Sequence, residues 1–274
     1  MPTLEEVLRN GRGTERSFHC HVHDDNNASA SVNVLLGVWC CYSCGAAGKV
    51  DSSKLFDKLD NFGDEIAELI AAHEEKIYPE SWMDLFVNTV HPYWRTRFSA
   101  AAVEYFRLGF SSEYDQPVYP VRNLAGEILG IVRRSLNPHT TMKYRYPKGV
   151  DMHQYLFNAT YQMGTKELII CEGATDVIAA WEVGVPGVAV YGDRIKYDQT
   201  VMLHQMGVRK AWVCFDQDDA GKTGAEQVLS ALSMAGIEQA RITWTSGKFG
   251  KDLAGMSRGE RKIVLQALVP LTQR

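Results

Sequence analysis

The chain is 274 residues long, 45% hydrophobic and 23% charged, with a formal net charge of −4 and six cysteines. That length and apolar content exclude a disordered chain and suffice for two domains at about 100–200 residues each. No run reaches the ~18 uncharged apolar residues of a membrane span, because the long apolar stretch from Val177 to Val190 is broken by Glu182 and Pro186. The acidic balance argues against indiscriminate coating of nucleic acid, yet it averages two opposed regions. Between Asp51 and Glu80 acids outnumber bases three to one, whereas Pro117 to Val150 carries Arg122, Arg133, Arg134, Lys143, Arg145 and Lys148 against Glu127 alone. The N-terminal MPTLEEVLRNGRG lacks the basic-then-apolar pattern of a signal peptide. A reducing, cytoplasmic location is therefore expected, where disulfides are rare and the cysteines need another use.

Phe18 to Val50 reads as short strands and turns rich in Cys, His, Gly and small polar residues, too poor in apolar side chains to fold without a staple. Cys20-x2-His23 is followed after seventeen residues by Cys41-x2-Cys44. Zinc takes four nitrogen or sulfur ligands in a tetrahedron, and two x2 pairs on separate turns supply two chelating corners. Gly45 would allow a tight, positive-φ turn after the second pair. His19, His21 and Cys40 are competing ligands, although Cys40, next to Cys41 in a strand, should point to the opposite face. Four protein ligands leave no open position, so one structural zinc is expected at Cys20, His23, Cys41 and Cys44.

Residues 51–91 show helical periodicity (Leu55, Phe56, Leu59; Ile66, Leu69, Ile70) among many acids. Ser99 is the expected N-cap of a helix over Ala100 to Leu108, with Gly109 supplying a left-handed end. Tyr93, Trp94, Tyr105, Phe106 and Phe110 read as core aromatics. QPVYPVRN, a turn at Leu124-Ala125-Gly126, and EILGIVRRS form a hairpin. Arg122 and Arg133 on its two arms, with Arg134, Lys143, Arg145 and Lys148 following, are expected to line a groove for phosphates. From Leu168 onward LIIC, GVAV, KAWVCF and ARITW alternate with helical stretches, the pattern of a parallel α/β sheet. Cys171 and Cys214 lie inside these apolar strands as inert core thiols.

Glu172-Gly173 ends the first of those strands, and Asp216-x-Asp218 ends the third. The carboxyl ends of parallel strands share one edge, so these acids converge although distant in sequence. Like charges ~4 Å apart repel by roughly 1 kcal/mol in water and about 4 kcal/mol at an effective dielectric of 20. A hard divalent cation turns that cost into a binding site, and magnesium fits.

In this order, these residues resemble the bacterial and phage DNA primases, which join an N-terminal zinc-binding domain to a Toprim catalytic domain. The likeness runs from about Phe18 to Leu253. The zinc segment resembles the family's Cys-Pro-Phe-His…Cys-x2-Cys-Gly pattern, with His21-Val22 in place of Pro-Phe. FSAAAVEYFRLGF resembles the segment that opens the catalytic core. YPVRNLAGEILGIVRR is similar to the family's basic hairpin, with Val132-Arg133-Arg134 where the family has glycines. CEGATDVIAA and CFDQDDAGK resemble the two Toprim motifs, and Gly250-Lys251-Asp252 is similar to a later Lys-Asp segment.

The resemblance implies an RNA primase in which Glu172, Asp216 and Asp218 hold magnesium or manganese while Asp176, Asp219 and Asp252 assist. It implies ribonucleoside triphosphates as substrates, a single-stranded DNA template, a monomeric chain, and a replicative helicase acting in trans, since only a short tail follows Asp252. The expected architecture is α+β joined to α/β. A zinc-ribbon-like domain (1–50) and a helical connector (51–91) precede a basic mixed α/β part of the primase core (92–160). A Toprim subdomain with helices on both faces of its sheet follows (161–274). A DNA-binding recombination mediator and a Toprim nuclease are the alternatives; the hairpin and the Cys-x2-His pair favour the primase.

Overall fold

A computed structural model describes residues 15–33, 38–49, 76–137, 139–140 and 142–266. The chain divides into two compact units, Met1–Glu74 and Glu75–Arg274. The helical periodicity expected over residues 55–70 lies outside the described residues.

In the first unit β1 (Glu15–Phe18), β2 (Ala30–Asn33), β3 (Val38–Cys41) and β4 (Ala47–Lys49) form an antiparallel meander in sequence order. Phe18, Ala30, Val32 and Trp39 bury one face, with Phe18 edge-on to Trp39 at 5.7 Å between centroids. Cys20 and Cys41 complete this buried cluster, so the core is small and two of its members are thiols.

In the second unit β5 (Gly109–Ser111), β6 (Gln116–Arg122), β7 (Ile128–Arg134) and β8 (Tyr144–Arg145) make an antiparallel sheet, again in sequence order. The β6–β7 hairpin turns at Asn123 to Gly126, where the Gly126 N–H donates to the Asn123 carbonyl at 3.0 Å. Before this sheet come the short helices α1 (Asp84–Val87), α2 (Pro92–Arg95) and α3 (Ala100–Tyr105). The Ser99 hydroxyl caps α3 by accepting from Ala102 N–H. That helix is shorter than expected: Arg107, with φ of 53°, takes the left-handed position, and the Leu108 N–H closes back on the Val103 carbonyl. Gly109 instead opens β5, where a Cβ would lie 2.6 Å from the Phe86 carbonyl oxygen.

The remainder is a parallel sheet of β9 (Glu167–Cys171), β10 (Gly187–Ala189), β11 (Lys210–Val213) and β12 (Glu238–Arg241) in the order β10-β9-β11-β12. β12 starts two residues before the ARITW stretch, because Glu238 pairs with Lys210 at the sheet edge. Helix α4 (Ala174–Trp181) packs on β9 and β10, and α6 (Asp219–Met234) on β11 and β12; α5 (Tyr197–Met206), α7 (Ser246–Phe249) and α8 (Arg258–Val264) are the other helices of this part. One buried cluster from Trp94 to Leu265 joins both sheets, Cys171 and Cys214 included. Phe157 bonds to the Ala189 backbone across the seam. No helix among the described residues is long and apolar enough to cross a membrane.

Candidate metal centres and nucleic-acid interface

The order β10-β9-β11 reverses direction between β9 and β11, so the carboxyl end of that pair is the switch point at which open parallel sheets bind ligands. Glu172 follows β9 and Asp216 follows β11 there. The Glu172 Oε1 accepts from the Asp216 backbone N–H at 3.0 Å, which clamps the two strand ends together. Asp218 is the N-cap of α6, its Oδ1 accepting from Gly221 N–H at 2.9 Å. Gly221 is required by the tightness of this turn, since a Cβ there would lie 2.3 Å from the Asp216 carbonyl oxygen. Asp176, in the first turn of α4 and 8% exposed, accepts from Ala254 N–H at 3.0 Å. Asp252 accepts from Gly255 N–H at 2.7 Å. Asp219 points to solvent and pairs with Lys222 at 3.1 Å.

These carboxyls do not share one electrostatic state. Burial, followed by the Asp216 charge, pushes Glu172 up to about 7. Burial and the neighbouring Asp252 push Asp176 up to about 7. Asp216 is also raised by burial, against the pull of Lys251. Asp218 is lowered by the Gly221 N–H it accepts. Lys251, not singled out from the sequence as a site residue, sends its ammonium between the two aspartates, 2.8 Å from Asp216 Oδ2 and 3.3 Å from Asp218 Oδ2. The donor set suits a hard divalent cation: carboxylate oxygens on rigid strand and helix ends, already drawn around a positive charge. The acids are spread more widely than the cysteine and histidine donors of the first unit, which form the single close-packed set of potential metal ligands among the described residues.

That set is Cys20, His23, Cys41 and Cys44, with all four donor atoms within 4.8 Å of one another. A zinc tetrahedron with Zn–S near 2.3 Å and Zn–N near 2.05 Å has edges of about 3.8 Å between sulfurs and about 3.6 Å from sulfur to nitrogen. Cys20 Sγ and Cys44 Sγ stand 3.7 Å apart, and His23 Nε2 and Cys41 Sγ 3.3 Å, so the set fits zinc. Gly45, with φ of 73°, turns the chain after Cys44. The competing ligands stand aside: His19 bonds to the Asp25 carbonyl and His21 lies against the Trp39 ring. Cys40 neighbours Cys41 in β3 and is outside the set.

Around the ligands is a polar shell that the spacing did not announce. Asp25 Oδ2 accepts from the backbone N–H groups of Cys20 and Ser29 and from the Ser29 hydroxyl. Against burial, these bonds hold its carboxyl well below the usual range. Ser29 Oγ in turn lies 3.3 Å from Cys41 Sγ. Burial pushes the Cys41 thiol up, but the Ser29 hydroxyl, the backbone N–H groups of Cys44 and Ser43, and His23 outweigh it and bring the thiol down to about 6. A thiol so poised is ready to ligate as thiolate.

The basic segment does not form one strip. Arg133 and Arg145 are cross-strand partners and so share a face, with Arg133 stacked 3.6 Å over the Tyr114 ring. Arg134 points to the other face, between the Tyr93 and Tyr144 rings at 5.1 and 5.0 Å, and donates to the Tyr144 hydroxyl. Thr175 and its neighbour Asp176 both act on the Tyr144 hydroxyl, so this face lies towards the acidic edge. Lys143, Arg145 and Lys148 are exposed. Arg122 leaves the expected phosphate-binding group. Its side chain is 10% exposed, and both terminal nitrogens are spent on Glu80, at 2.6 and 2.8 Å, and on the Gly126 carbonyl.

Residues 169–254, the segment that holds Lys251 and every acid of the parallel-sheet edge, match the family model described as Toprim-like. The DNA primase of Buchnera aphidicola subsp. Baizongia pistaciae is 22% identical in an alignment covering 84% of this chain and 52% of that protein. The chain thus spans about half the length of that relative. Among solved structures, the zinc-binding and RNA polymerase domains of the Aquifex aeolicus primase superpose with a TM-score of 0.59 at 18% identity, covering 97% of this chain and 82% of that one. A DnaG primase catalytic domain bound to single-stranded DNA gives 0.56 at 18% identity, covering 70% of this chain and 76% of that one. In sequence over most of its length, and in fold, this chain resembles the bacterial DNA primases.

Proposed function

We propose that the chain is a DNA primase, a nucleotidyltransferase that reads single-stranded DNA and joins ribonucleoside triphosphates into a short RNA primer. The observation that carries this reading is the gathering of Glu172, Asp216 and Asp218 around one cationic position at the switch point of a Toprim-like sheet. The likeness to primases over most of the chain supports it, as does the likeness in fold to a primase domain bound to single-stranded DNA.

Glu172, Asp216 and Asp218 would hold magnesium or manganese, with Asp176 and Asp252 behind them and Asp219 at the rim. When bound, such ions would supply the positive charge that nucleotidyl transfer needs at the phosphates. The chain's own task is positioning. Glu172 locks the Asp216 backbone, and the α6 cap orients Asp218. Arg134, held against Tyr144, would face the acidic edge from the hairpin sheet, while Arg133, Lys143, Arg145 and Lys148 would meet template or nucleotide phosphates. Zinc at Cys20, His23, Cys41 and Cys44 would staple the first unit, which would help select the start site on the template. The four divisions 1–50, 51–91, 92–160 and 161–274, a monomeric chain and a helicase in trans belong to the same reading.

Incubating the zinc-loaded chain with a library of single-stranded templates, labelled ribonucleotides and magnesium tests it. Short labelled RNA, lost in Asp216→Asn, is the expected product. Template cleavage without incorporation would make the chain a nuclease, and template binding without either reaction would make it a mediator.

A further inference from the structure

We propose that Lys251 is a resident counter-cation of the acidic edge, occupying the place between Asp216 and Asp218 until a divalent ion displaces it. This rests on the reading of that edge as a metal centre.

The geometry is specific to this lysine. Its ammonium bridges the two aspartates, while its own backbone carbonyl accepts from Gln217 N–H at 2.8 Å, the residue between them. The loop is held from a second side as well. The Trp244 indole donates to the Gly250 carbonyl at 2.8 Å, and the Trp244 backbone N–H reaches the Gln217 side-chain oxygen at 3.3 Å. The lysine's backbone is therefore fixed to the edge, but its side chain is 53% exposed and joined to four methylenes' worth of freedom. It can leave the aspartates without the loop moving.

The other ionisable groups facing this position are the carboxyls of Glu172, Asp176 and Asp252, none of them a cation, and Lys222 lies farther along α6, paired with Asp219. Among the described residues, Lys251 is the cation that makes direct contact with Asp216 and Asp218. An ammonium and a divalent ion cannot both take the same carboxylate oxygens, so each must compete with the other. Released, the ammonium remains tethered at the metal's flank, where its charge favours an anionic phosphate. The device would keep the acids ordered before metal arrives, at the expense of metal affinity.

The test is titration of the zinc-loaded 274-residue chain with manganese, followed by the electron paramagnetic resonance of the free ion. Asp216→Asn serves to identify the site, and Lys251→Gln and Lys251→Arg vary the competitor. We expect Lys251→Gln to bind manganese on the order of tenfold more tightly than the parent, and Lys251→Arg to return to within about twofold of it. Melting without manganese should show Lys251→Gln below the parent, and saturating manganese should close that gap. Unchanged or weaker manganese binding in Lys251→Gln, at a site still sensitive to Asp216→Asn, overturns the inference and leaves the metal centre standing. Absence of any Asp216-dependent binding in the parent and in Lys251→Gln overturns the metal centre itself. A general structural role for Lys251 would lower the melting temperature in both states without raising manganese affinity, which also overturns the inference.

Discussion

Replacing Asp176 by asparagine should stabilise the protein, by an amount that grows with pH. The Asp176 carboxyl is buried at the first turn of α4, and burial together with Asp252 moves it from 3.8 to about 7. Its structural bond is the one it accepts from Ala254 N–H at 3.0 Å, which an asparagine side-chain oxygen in the same place retains. The folded chain thus binds this proton more tightly than the unfolded chain. Stability is fully present below about pH 4 and is lost as the pH rises towards 7, above which the whole cost of the buried charge is felt. At 1.36 kcal/mol per tenfold change in proton affinity the ceiling is about 4 kcal/mol. Water at the sheet edge and small adjustments of the loop screen part of it, leaving on the order of 2 kcal/mol. In a unit of about 200 residues that is a rise of about 4–8 °C in Tm at pH 8, shrinking to almost nothing at pH 4. The assay is calorimetry of parent and Asp176→Asn from pH 4 to 8, with zinc retained and other divalent ions removed. Primer synthesis by the variant should fall, because an amide is a poorer partner for a cation than a carboxylate. A variant that melts below the parent at pH 8, or whose advantage is independent of pH, would refute the reasoning.

Cys41→Ser should release the metal from the first unit and unfold its small core, while Cys40→Ser should leave metal content unchanged; elemental analysis of both decides, and equal loss from the two would defeat the ligand assignment. Affinity for single-stranded DNA should fall with salt at a slope of about 0.7 per phosphate contacted. Arg133→Glu with Arg145→Glu should reduce that slope, measured by fluorescence anisotropy; an unchanged slope would mean that their shared face is simply solvated. Arg122→Glu should act differently, lowering Tm because it sets a second carboxylate against Glu80. Gly221→Ala should destabilise by about 1–3 kcal/mol in denaturant unfolding, since its Cβ would press into the Asp216 backbone. A neutral result would show that the α6 turn relaxes freely.

What the sequence made legible was whatever depends on short spacing or on strand ends. The two x2 pairs name their four donors without knowledge of the fold, because a chelating turn is local. Glu172 and Asp216 are legible through parallel-sheet topology, since every strand of such a sheet delivers its last residue to the same edge. Partners chosen across space leave no such mark. The bond from Glu80 to Arg122 spans 42 positions, and no periodicity in either segment warns that this arginine faces inward. Lys251 reads as a lysine next to an acid until the loop that carries it folds onto Gln217. The Asp25–Ser29 pair behind the thiolates is similarly silent, because aspartate and serine in a turn are commonplace. The end of α3 erred for another reason. Glycine is the favoured left-handed residue, but Gly109 was already committed to the close approach of Phe86, and Arg107 took the turn.

A fold that gathers this many acids at one edge must compensate for them, and the compensation here is uneven. The positive ends of two helices come to the same place: Asp218 caps α6 and Asp219 sits in its first turn, while Asp176 sits in the first turn of α4. Each such placement favours a negative charge by about 0.3–1 kcal/mol near the surface. For Asp218, which is partly exposed and bonded to Gly221 N–H, that is enough to keep the carboxyl readily ionised. For Asp176 and Glu172 burial outweighs every N–H they accept, and both are pushed to the protonated side of their ordinary behaviour. The edge therefore contains Asp218, ionised before any divalent ion arrives, and Glu172 and Asp176, whose ionisation such an ion would promote. Binding a divalent ion should then release protons, more at pH 6 than at pH 8, where Glu172 and Asp176 have already given theirs up. Isothermal titration with magnesium in two buffers of different ionisation enthalpy measures this directly. Equal proton release at both pH values would mean that the acids are ionised independently of the metal.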